Sequence, residues 1–303
     1  MTRVSLSPDG PEVSRLALGT WRLLADPAMA SPKAVLGLIR AALDLGITTI
    51  DTAEIYGGYQ VEAVLGAALR LDPSVKSRIE IITKCGIYVP GPASPERRVA
   101  HYNASAGQIA ASAEKSLRLL GVEALDVLLV HRPDWLAAHE ETASALNRLV
   151  HEGKIRAAGV SNYSAAQFAA LSSFVGQPLA TNQMEFSLFH TAPIHDGVFD
   201  QAQERKFSPM AWSVLGGGRL FAEDNEAAIR VRAAMAEMAP RYGHATPEAL
   251  AHAWVLAHPS RPVSILGTTK PERLRSTAAA DGISLGREDW YALWEAAQGR
   301  RIP

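Results

Sequence analysis

Four ionisable side chains stand at or near the ends of short apolar runs and have the chemistry of a proton-donating site. Three of them, Asp51, Lys84 and His131, end such runs, and Tyr56 follows Asp51 within the same segment. A tyrosine has a pKa of about 10 and is a weak acid near neutral pH unless a nearby cation stabilises its anion. Lys84 could supply that cation, with Asp51 holding the ammonium group. His131 could then hydrogen-bond the reacting oxygen, which suits carbonyl reduction.

Each of the four residues also has a structural interpretation when taken alone. Asp51 precedes Glu54 by three positions, which is a capping-box pattern at a helix start. Tyr56 fits a packed aromatic residue, Lys84 a surface lysine and His131 a hydrogen-bonded core histidine. Burying a lysine and an aspartate costs several kcal/mol unless they pair. Four such residues at the same edge of one fold therefore favour a functional site.

The elements that must position these residues alternate between short apolar runs and segments of helical period. Eight runs predict strands at Leu16–Leu18, Ile47–Ile50, Ile79–Ile82, Leu125–Val130, Ile155–Val160, Leu179–Ala180, Ser208–Ala211 and Val263–Leu266. Between them, apolar residues recur every three to four positions at Val35–Leu45, Val61–Leu71, Gly107–Leu120, Ala143–His151, Ala165–Phe174 and Pro247–Leu256. This alternation predicts an α/β fold, a (β/α)8 TIM barrel forming one domain over residues 1–303, with a doubly wound open sheet as the alternative.

The first residues predict a β-hairpin ahead of the barrel. Val4–Leu6 and Glu12–Ser14 flank the turn sequence Pro8-Asp9-Gly10. We expect this hairpin to cap the floor of the barrel. Barrel enzymes carry their chemistry at the opposite end, where the strands end, which is where the four ionisable residues are predicted to lie.

Composition excludes several classes of partner. The 303 residues include 30 Lys and Arg against 31 Asp and Glu, so that no basic field favours nucleic acid. No run approaches the roughly 18 apolar residues of a membrane span, and the first residues lack a secretory signal. The single cysteine, Cys85, excludes an internal disulfide and a cysteine-rich zinc site. We expect a cytoplasmic protein that acts on a small molecule, without membrane, nucleic acid or metal.

Several longer motifs extend over nearly the whole chain. They are Leu18-Gly19-Thr20-Trp21, Asp51-Thr52-Ala53-Glu54-Ile55-Tyr56-Gly57, Ile82-Thr83-Lys84, Gly153-Lys154-Ile155-Arg156, Gly159-Val160-Ser161-Asn162-Tyr163, Asn182-Gln183 and Ile265-Leu266-Gly267. In order and spacing they resemble the aldo-keto reductases. His131-Arg132-Pro133-Asp134 and the segment Ala211–Gly218 are similar to a bacterial oxidoreductase branch of that family.

The resemblance implies an oxidoreductase that uses NADPH, and NADH at lower affinity, to reduce aldehydes or ketones. It makes Tyr56 the general acid of a catalytic tetrad with Asp51, Lys84 and His131. The cofactor-binding positions carried over are Gly19, Thr20, Asp51, Ser161, Asn162, Gln183, Trp212, Ser213, Leu215, Gly216, Gly267, Thr268, Thr269, Lys270, Arg273 and Thr277. Substrate contacts fall to Trp21, Tyr56 and His131.

Within that set the resemblance gives separate tasks to the two ends of the cofactor. Ser161, Asn162 and Gln183 match binders of the nicotinamide carboxamide, and Trp212 matches the residue that stacks on the ring. Arg273 matches the arginine that binds the 2′-phosphate, with Lys270 as a second cation.

The chain departs from the commonest family pattern at three places, which are Val214, Gly267 and the pair Ser276-Thr277. Gly267 stands where many members have lysine, so that one cation of the usual set is absent. The preference for NADPH is therefore expected to be moderate.

The substrate wall and the competing functions follow from weaker signals. Trp21, Tyr88, Phe186 and Phe189 are predicted to form an apolar wall, and the long segments 85–105 and 212–222 are predicted to border it.

One alternative function is a redox-sensing or regulatory module of the same fold with little turnover. A hydrolase with two carboxylates is a third interpretation, disfavoured because Asp51 and Glu54 adjoin Tyr56 and Lys84 rather than face each other across a cleft.

Overall fold

A computed structural model describes residues 1–91 and 95–302. The strands are β1 Arg3–Ser5, β2 Glu12–Ser14, β3 Leu16–Gly19, β4 Thr49–Asp51, β5 Glu80–Cys85, β6 Ile87–Tyr88, β7 His101–Tyr102, β8 Leu125–Val130, β9 Ile155–Ser161, β10 Asn182–Glu185, β11 Met210–Trp212 and β12 Val263–Leu266. The helices are α1 Pro32–Asp44, α2 Tyr56–Tyr59, α3 Val61–Leu71, α4 Ala106–Leu120, α5 His139–His151, α6 Ala165–Ser172, α7 Ala192–His195, α8 Val198–Arg205, α9 Glu226–Met238, α10 Pro247–Leu256, α11 Pro271–Ala278 and α12 Arg287–Gln298.

Eight parallel strands close a barrel in the order β3-β4-β5-β8-β9-β10-β11-β12, and β12 pairs again with β3. Helices follow the strands and cover the outside of the barrel, so that most strand residues are buried on both faces. All six residues of β8 are buried, for example. The predicted (β/α)8 barrel is therefore confirmed.

The N-terminal hairpin closes the floor of the barrel. Strands β1 and β2 pair antiparallel, with Val4 opposite Val13. Leu6 and Val13 are fully buried against residues that point into the barrel, and the Leu6 carbonyl accepts a hydrogen bond from the Ser208 amide at 2.7 Å. The predicted hairpin is thus present, and it blocks access to the interior from the end opposite the polar strand ends.

Local sequence explains where the helices begin and how closely they pack. At the start of α10, the Thr246 side chain accepts a hydrogen bond from the Ala249 amide, and Pro247 takes the first helical position. Gly66 lets α3 approach α4, because a Cβ at this position would lie 1.9 Å from the Leu119 carbonyl oxygen. Such contacts fix the helices against the strands whose ends carry the site.

The prediction for the sixth barrel strand was wrong. The strand covers Asn182–Glu185 rather than Leu179–Ala180. Its buried positions include the polar Asn182 and Gln183, which satisfy their side chains through hydrogen bonds. A search for apolar runs misses a strand of this kind, because polar residues are buried when they are hydrogen-bonded.

None of the helices in residues 1–91 and 95–302 has the length and apolar character needed to cross a membrane.

Candidate functional site

A cavity of about 880 Å³ opens at the end of the barrel where the strands terminate. Its lining extends from Asp51, Tyr56 and His131 on one side to Lys270 and Arg273 on the other. We call these the tetrad end and the adenosine end, respectively, after the roles that the resemblance predicts for them. The cavity therefore brings together residues that are more than 200 positions apart in the sequence.

Lys84 is the centre of the tetrad end. Its Nζ lies 2.8 Å from Asp51 Oδ2, 2.8 Å from the Thr52 carbonyl oxygen and 3.0 Å from Tyr56 Oη. The Lys84 side chain is fully buried, and that of Asp51 is 3% exposed. The ammonium group therefore has three partners, and it sits behind the phenol as seen from the cavity.

Neighbouring strands fix Asp51 in this position. Strand β4, which ends in Asp51, pairs with β3 and with β5, the strand that carries Lys84. The Asp51 carboxylate accepts a second hydrogen bond through Oδ1 from Gln183 Nε2 at 2.7 Å, and the Thr20 hydroxyl donates to the Asp51 carbonyl at 3.0 Å. Both carboxylate oxygens are thus used, which holds the Asp51 side chain in place beside Lys84.

A short turn presents Tyr56 to the cavity. Tyr56 begins α2, and Gly57 and Gly58 follow with φ values of 57° and 63°, a left-handed conformation that favours glycine. The ring of His131, at the end of β8, meets the Tyr56 ring edge-on with 5.9 Å between centroids. Two side chains able to donate a hydrogen bond therefore face the same part of the cavity.

Burial and charge set the protonation of these groups. Burial raises the pKa of Tyr56, and the Lys84 ammonium opposes this without reversing it. Lys84 by itself therefore favours the phenolate, as expected, but burial outweighs it and the pKa of Tyr56 is raised overall. Burial lowers the pKa of Lys84, but Asp51 and Tyr56 outweigh it, so that the pKa rises. Burial, with the charges of Lys84 and Arg132, lowers the pKa of His131 well below its usual value. At neutral pH the site therefore holds a phenol, an ammonium and an uncharged imidazole.

An amide-rich wall adjoins the tetrad end. The Ser161 hydroxyl donates to the Gln183 carbonyl at 2.9 Å, and Asn162 Nδ2 donates to Ser161 Oγ at 2.8 Å and to the His131 carbonyl at 3.2 Å. Asn162 has a φ of 61°, a conformation that asparagine tolerates better than most residues. These bonds hold the Asn162 amide against the strand ends, and the bond to Asp51 holds the Gln183 amide there.

The segment after β11 forms the middle of the cavity. Trp212 lines the cavity, and the glycines Gly216, Gly217 and Gly218 follow with φ values of 62°, 70° and 106°. An added Cβ would meet nothing within 4 Å at Gly217 or Gly218. The Gly217 carbonyl accepts a hydrogen bond from Arg22 Nη2 at 2.9 Å, which ties this segment to the loop after β3.

The adenosine end is built from a turn and a helix start. Thr268, Thr269 and Lys270 follow β12, and Arg273 lies in the first turn of α11. Lys270 and Arg273 are exposed. Within residues 1–91 and 95–302, neither side chain has a hydrogen-bond or ion-pair partner. The end thus presents two exposed cations to the cavity.

Nearly all of the predicted site residues line this one cavity. Three do not: Thr20 and Lys84 lie behind it, in contact with Asp51, and Gly216 lies beside it, against Phe189.

The predicted apolar wall is wrong for Tyr88 and Phe186. Tyr88 is buried with its hydroxyl 3.0 Å from Ser112 Oγ, and Phe186 is fully buried against Phe199 and Trp254. Phe189 also does not line the cavity, whereas Trp21 does and is 63% exposed. In the segment 85–105, which was predicted to border the wall, positions 92–94 lie outside the described residues.

Sequence reasoning missed Arg22 and Asp26, which line the cavity from the loop after β3. The Asp26 carboxylate accepts a hydrogen bond from the Thr269 hydroxyl. The only local signal at Asp26 is that of a cap before Pro27, and it gives no indication of a contact with the far end of the chain.

The cavity fits an extended dinucleotide with an anion at one end. Two of its cations, Lys270 and Arg273, lie at the adenosine end, its amide side chains lie at the tetrad end, and an aromatic side chain lies between them at Trp212. Glycine backbone at positions 217 and 218 can approach a phosphate closely.

Known proteins resemble this chain over nearly its whole length. Two curated bacterial relatives are each 43% identical to this chain: oxidoreductase YdhF of Escherichia coli (strain K12) over 301 residues, with 99% of both chains covered, and a 6-dehydroglucose reductase of Agrobacterium fabrum over 302 residues, with 100% of both chains covered. Among solved structures, the glycerol dehydrogenase AKR11B4 from Gluconobacter oxydans matches with a TM-score of 0.85 at 27% identity, covering 98% of this chain and 95% of that one.

Two further matches bear on the cofactor and the family. An aldo/keto reductase from Klebsiella pneumoniae, solved in complex with NADP and acetate, matches with a TM-score of 0.77 at 28% identity and covers 96% of this chain and 94% of that one. The family model described as the aldo/keto reductase family matches residues 15–297. This chain therefore belongs to the aldo/keto reductase family and is an NAD(P)H-dependent oxidoreductase.

Proposed function

We propose that this protein reduces the carbonyl group of a small aldehyde or ketone to an alcohol with NADPH, and that Tyr56 is the general acid. The observation that carries the proposal is the contact of Lys84 Nζ with both Asp51 and Tyr56, beside His131 and open to the cavity. When bound, the dihydronicotinamide supplies a hydride to the carbonyl carbon. The Tyr56 hydroxyl donates its proton to the carbonyl oxygen, which completes the alcohol.

Lys84 and Asp51 act on the proton through Tyr56. As the phenol gives up its proton, negative charge develops on Oη, which lies 3.0 Å from the Lys84 ammonium. That cation is held in place before the reaction by Asp51 and by the Thr52 carbonyl, so that no reorganisation is needed when the charge forms.

His131 orients the carbonyl oxygen as an uncharged donor. Because the pKa of His131 is far below its usual value, the imidazole is neutral at physiological pH. A neutral imidazole retains one N–H for donation, and its proton is not readily lost. Tyr56, whose pKa is raised by burial, also stays protonated up to high pH. Tyr56 therefore carries, at physiological pH, the proton that carbonyl reduction requires.

Cofactor binding is assigned along the cavity. Ser161, Asn162 and Gln183 would hold the carboxamide, and Trp212 would cover the nicotinamide ring. Ser213 and Leu215 would border the pyrophosphate, together with the backbone of Gly217 and Gly218. Arg273 and Lys270 would bind the 2′-phosphate, since their side chains are exposed at the adenosine end. NADH, which lacks that phosphate, would bind more weakly.

We further propose a polyhydroxylated substrate such as a sugar aldehyde. Two curated relatives, 43% and 38% identical to this chain, are named 6-dehydroglucose reductases. The exposed Trp21 ring lies 5.6 Å from the Arg22 guanidinium, and both residues line the cavity together with Arg132. A flat apolar face beside hydrogen-bond donors suits a sugar, which has both an apolar face and many hydroxyl groups.

Cofactor oxidation with a carbonyl panel tests the proposal. Purified protein is mixed with NADPH or NADH and with a hexose aldehyde, a short apolar aldehyde or no carbonyl, and the loss of reduced cofactor is followed. We expect turnover with NADPH above the carbonyl-free blank, and a higher kcat/KM for the sugar aldehyde. Tight NADPH binding without turnover on any carbonyl would instead favour a redox-sensing module.

A further inference from the structure

A carboxylate stands at the adenosine end, where the proposed function places a phosphate. Asp26 lies in the loop between β3 and α1, and its Oδ2 accepts a hydrogen bond from the Thr269 hydroxyl. Thr269 immediately precedes Lys270 and lies four positions before Arg273. Asp26, Thr269, Lys270 and Arg273 all line the same cavity.

The Asp26 carboxylate is held in this orientation. Its other oxygen, Oδ1, accepts a hydrogen bond from the Ala28 amide at 2.9 Å, which caps the short 3₁₀ turn Pro27–Met29. The bonds from Thr269 and Ala28, together with the nearby Lys270 ammonium, lower the pKa of Asp26. The Asp26 side chain is therefore held in place and negatively charged at neutral pH.

The Asp26 carboxylate would repel a 2′-phosphate bound at the adenosine end. A phosphate placed at Arg273 and Lys270 would meet a carboxylate that already binds Thr269 and attracts Lys270. One threonine hydroxyl cannot donate to both anions, and the two anions repel each other. The ribose of NADH instead carries a free 2′-hydroxyl, for which a carboxylate is a good acceptor.

We propose that Asp26 is a specificity-determining residue that opposes binding of the 2′-phosphate and so narrows the preference for NADPH over NADH. The inference rests on the proposed function, which places the 2′-phosphate at Arg273. The missing lysine at Gly267 already removes one cation that would attract the 2′-phosphate. A carboxylate at the same end would further reduce the attraction of the remaining cations for that phosphate.

Binding measurements on the cofactor-free protein test this without relying on turnover. Wild type, Asp26→Asn and Asp26→Ser are titrated with NADPH, NADH, 2′,5′-ADP and 5′-AMP by calorimetry at one salt concentration. Both substitutions keep an oxygen that can accept from the Ala28 amide, so the cap survives while the charge is lost. Asp44→Asn is the matched control, since Asp44 is exposed at the end of α1 and does not line the cavity.

We expect both Asp26 variants to bind NADPH and 2′,5′-ADP about 3- to 10-fold more tightly, as for the loss of repulsion between partly exposed charges. Affinity for NADH and 5′-AMP should be unchanged or slightly weaker, and Asp44→Asn should match wild type. Raising the salt concentration should shrink the gain, because the effect is ionic.

Other outcomes separate this inference from the proposed function. If wild type prefers 2′,5′-ADP to 5′-AMP but the Asp26 variants change nothing, or tighten all four ligands equally, the role of Asp26 is overturned while the phosphate assignment stands. Weaker NADPH binding in both variants would also overturn it and make Asp26 a structural cap. If wild type shows no preference for 2′,5′-ADP, the phosphate assignment itself fails, and the inference falls with it.

Discussion

The two ends of the cavity are built on opposite physical principles. At the tetrad end, Asp51 and Lys84 are buried on neighbouring strands, and hydrogen bonds occupy the ammonium and both carboxylate oxygens. At the adenosine end, Lys270 and Arg273 are exposed on a turn and at a helix start. The tetrad end is organised before any ligand arrives, whereas the two exposed cations of the adenosine end would be ordered by the ligand that they bind.

This difference predicts how each end responds to change. Removing one partner of a buried ion pair strongly destabilises the folded protein, because it leaves an uncompensated charge in the interior. An exposed cation contributes in proportion to its contact with the ligand, and water replaces it when it is lost. Substitutions at the tetrad end should therefore affect both rate and stability, and those at the adenosine end should affect cofactor affinity alone.

Loss of the Lys84 charge should give the largest effect. Lys84→Met keeps the bulk of the stem and removes the cation that faces Tyr56 and Asp51. We expect kcat for carbonyl reduction to fall by a factor on the order of 10² or more, and the free energy of unfolding to fall by about 3–5 kcal/mol. Steady-state kinetics and urea unfolding measure the two losses.

A double variant separates these losses. Asp51→Asn in the Lys84→Met background removes the unpaired carboxylate, so that much of the stability should return while kcat stays low. Lys33→Met, at an exposed position on α1, controls for the loss of a lysine charge. Recovery of activity together with stability would contradict an electrostatic role for Lys84.

Loss of Arg273 should give a smaller and more selective effect. A charge-assisted contact with phosphate is worth on the order of 1.5–3 kcal/mol, or roughly 10- to 100-fold in affinity. We expect Arg273→Ala to weaken NADPH binding by about that factor, with NADH binding and the unfolding free energy nearly unchanged. Arg275→Ala, exposed on the same helix, is the control. Equal losses for both cofactors would mean that Arg273 supports the fold or the ribose instead.

Acid should destabilise the part of the barrel beneath the adenosine end. His252 on α10 is fully buried, its Nδ1 lies 2.7 Å from Ser264 Oγ on β12, and burial lowers its pKa to about 3. Below the usual histidine pKa of about 6.5, His252 binds a proton in the unfolded chain but not in the folded protein. Stability should therefore fall by about 1.4 kcal/mol per pH unit from this residue as the pH drops from 6.5 toward 3.

Urea unfolding at several pH values checks this slope. In His252→Gln the slope should be shallower by about that amount, because the titrating group is gone. His151→Gln, at an exposed position, should retain the slope of wild type. A His252 variant with the full acid slope would place the acid sensitivity elsewhere, for example at His258, whose pKa burial lowers to about 4.

Local patterns in the sequence were enough to predict the barrel and the residues gathered at its tetrad end. Asp51, Lys84 and His131 each end a strand, and parallel strands in a barrel bring their ends to one rim. The order and spacing of the motifs then predicted most of the cavity lining. These predictions succeeded because the information lies within single βα units.

Features that depend on tertiary packing could not be predicted in this way. Strand β10 was missed because Asn182 and Gln183 are polar and buried, and only their distant hydrogen-bond partners explain that burial. Tyr88 and Phe186 were predicted to line the wall because they follow barrel strands, but no local pattern shows which way their side chains point, and both are buried. The contact of Asp26 with Thr269 joins residues 243 positions apart, which no local pattern indicates.

The most direct test of the account is Tyr56→Phe, because this change removes the transferable proton and little else. NADPH affinity and the rate of carbonyl reduction are measured on the same preparation, with a folded-state check by circular dichroism. We predict that NADPH binds as in wild type, while kcat falls by a factor on the order of 10² or more. A Phe variant that reduces carbonyls near the wild-type rate would contradict the claim that Tyr56 donates the proton.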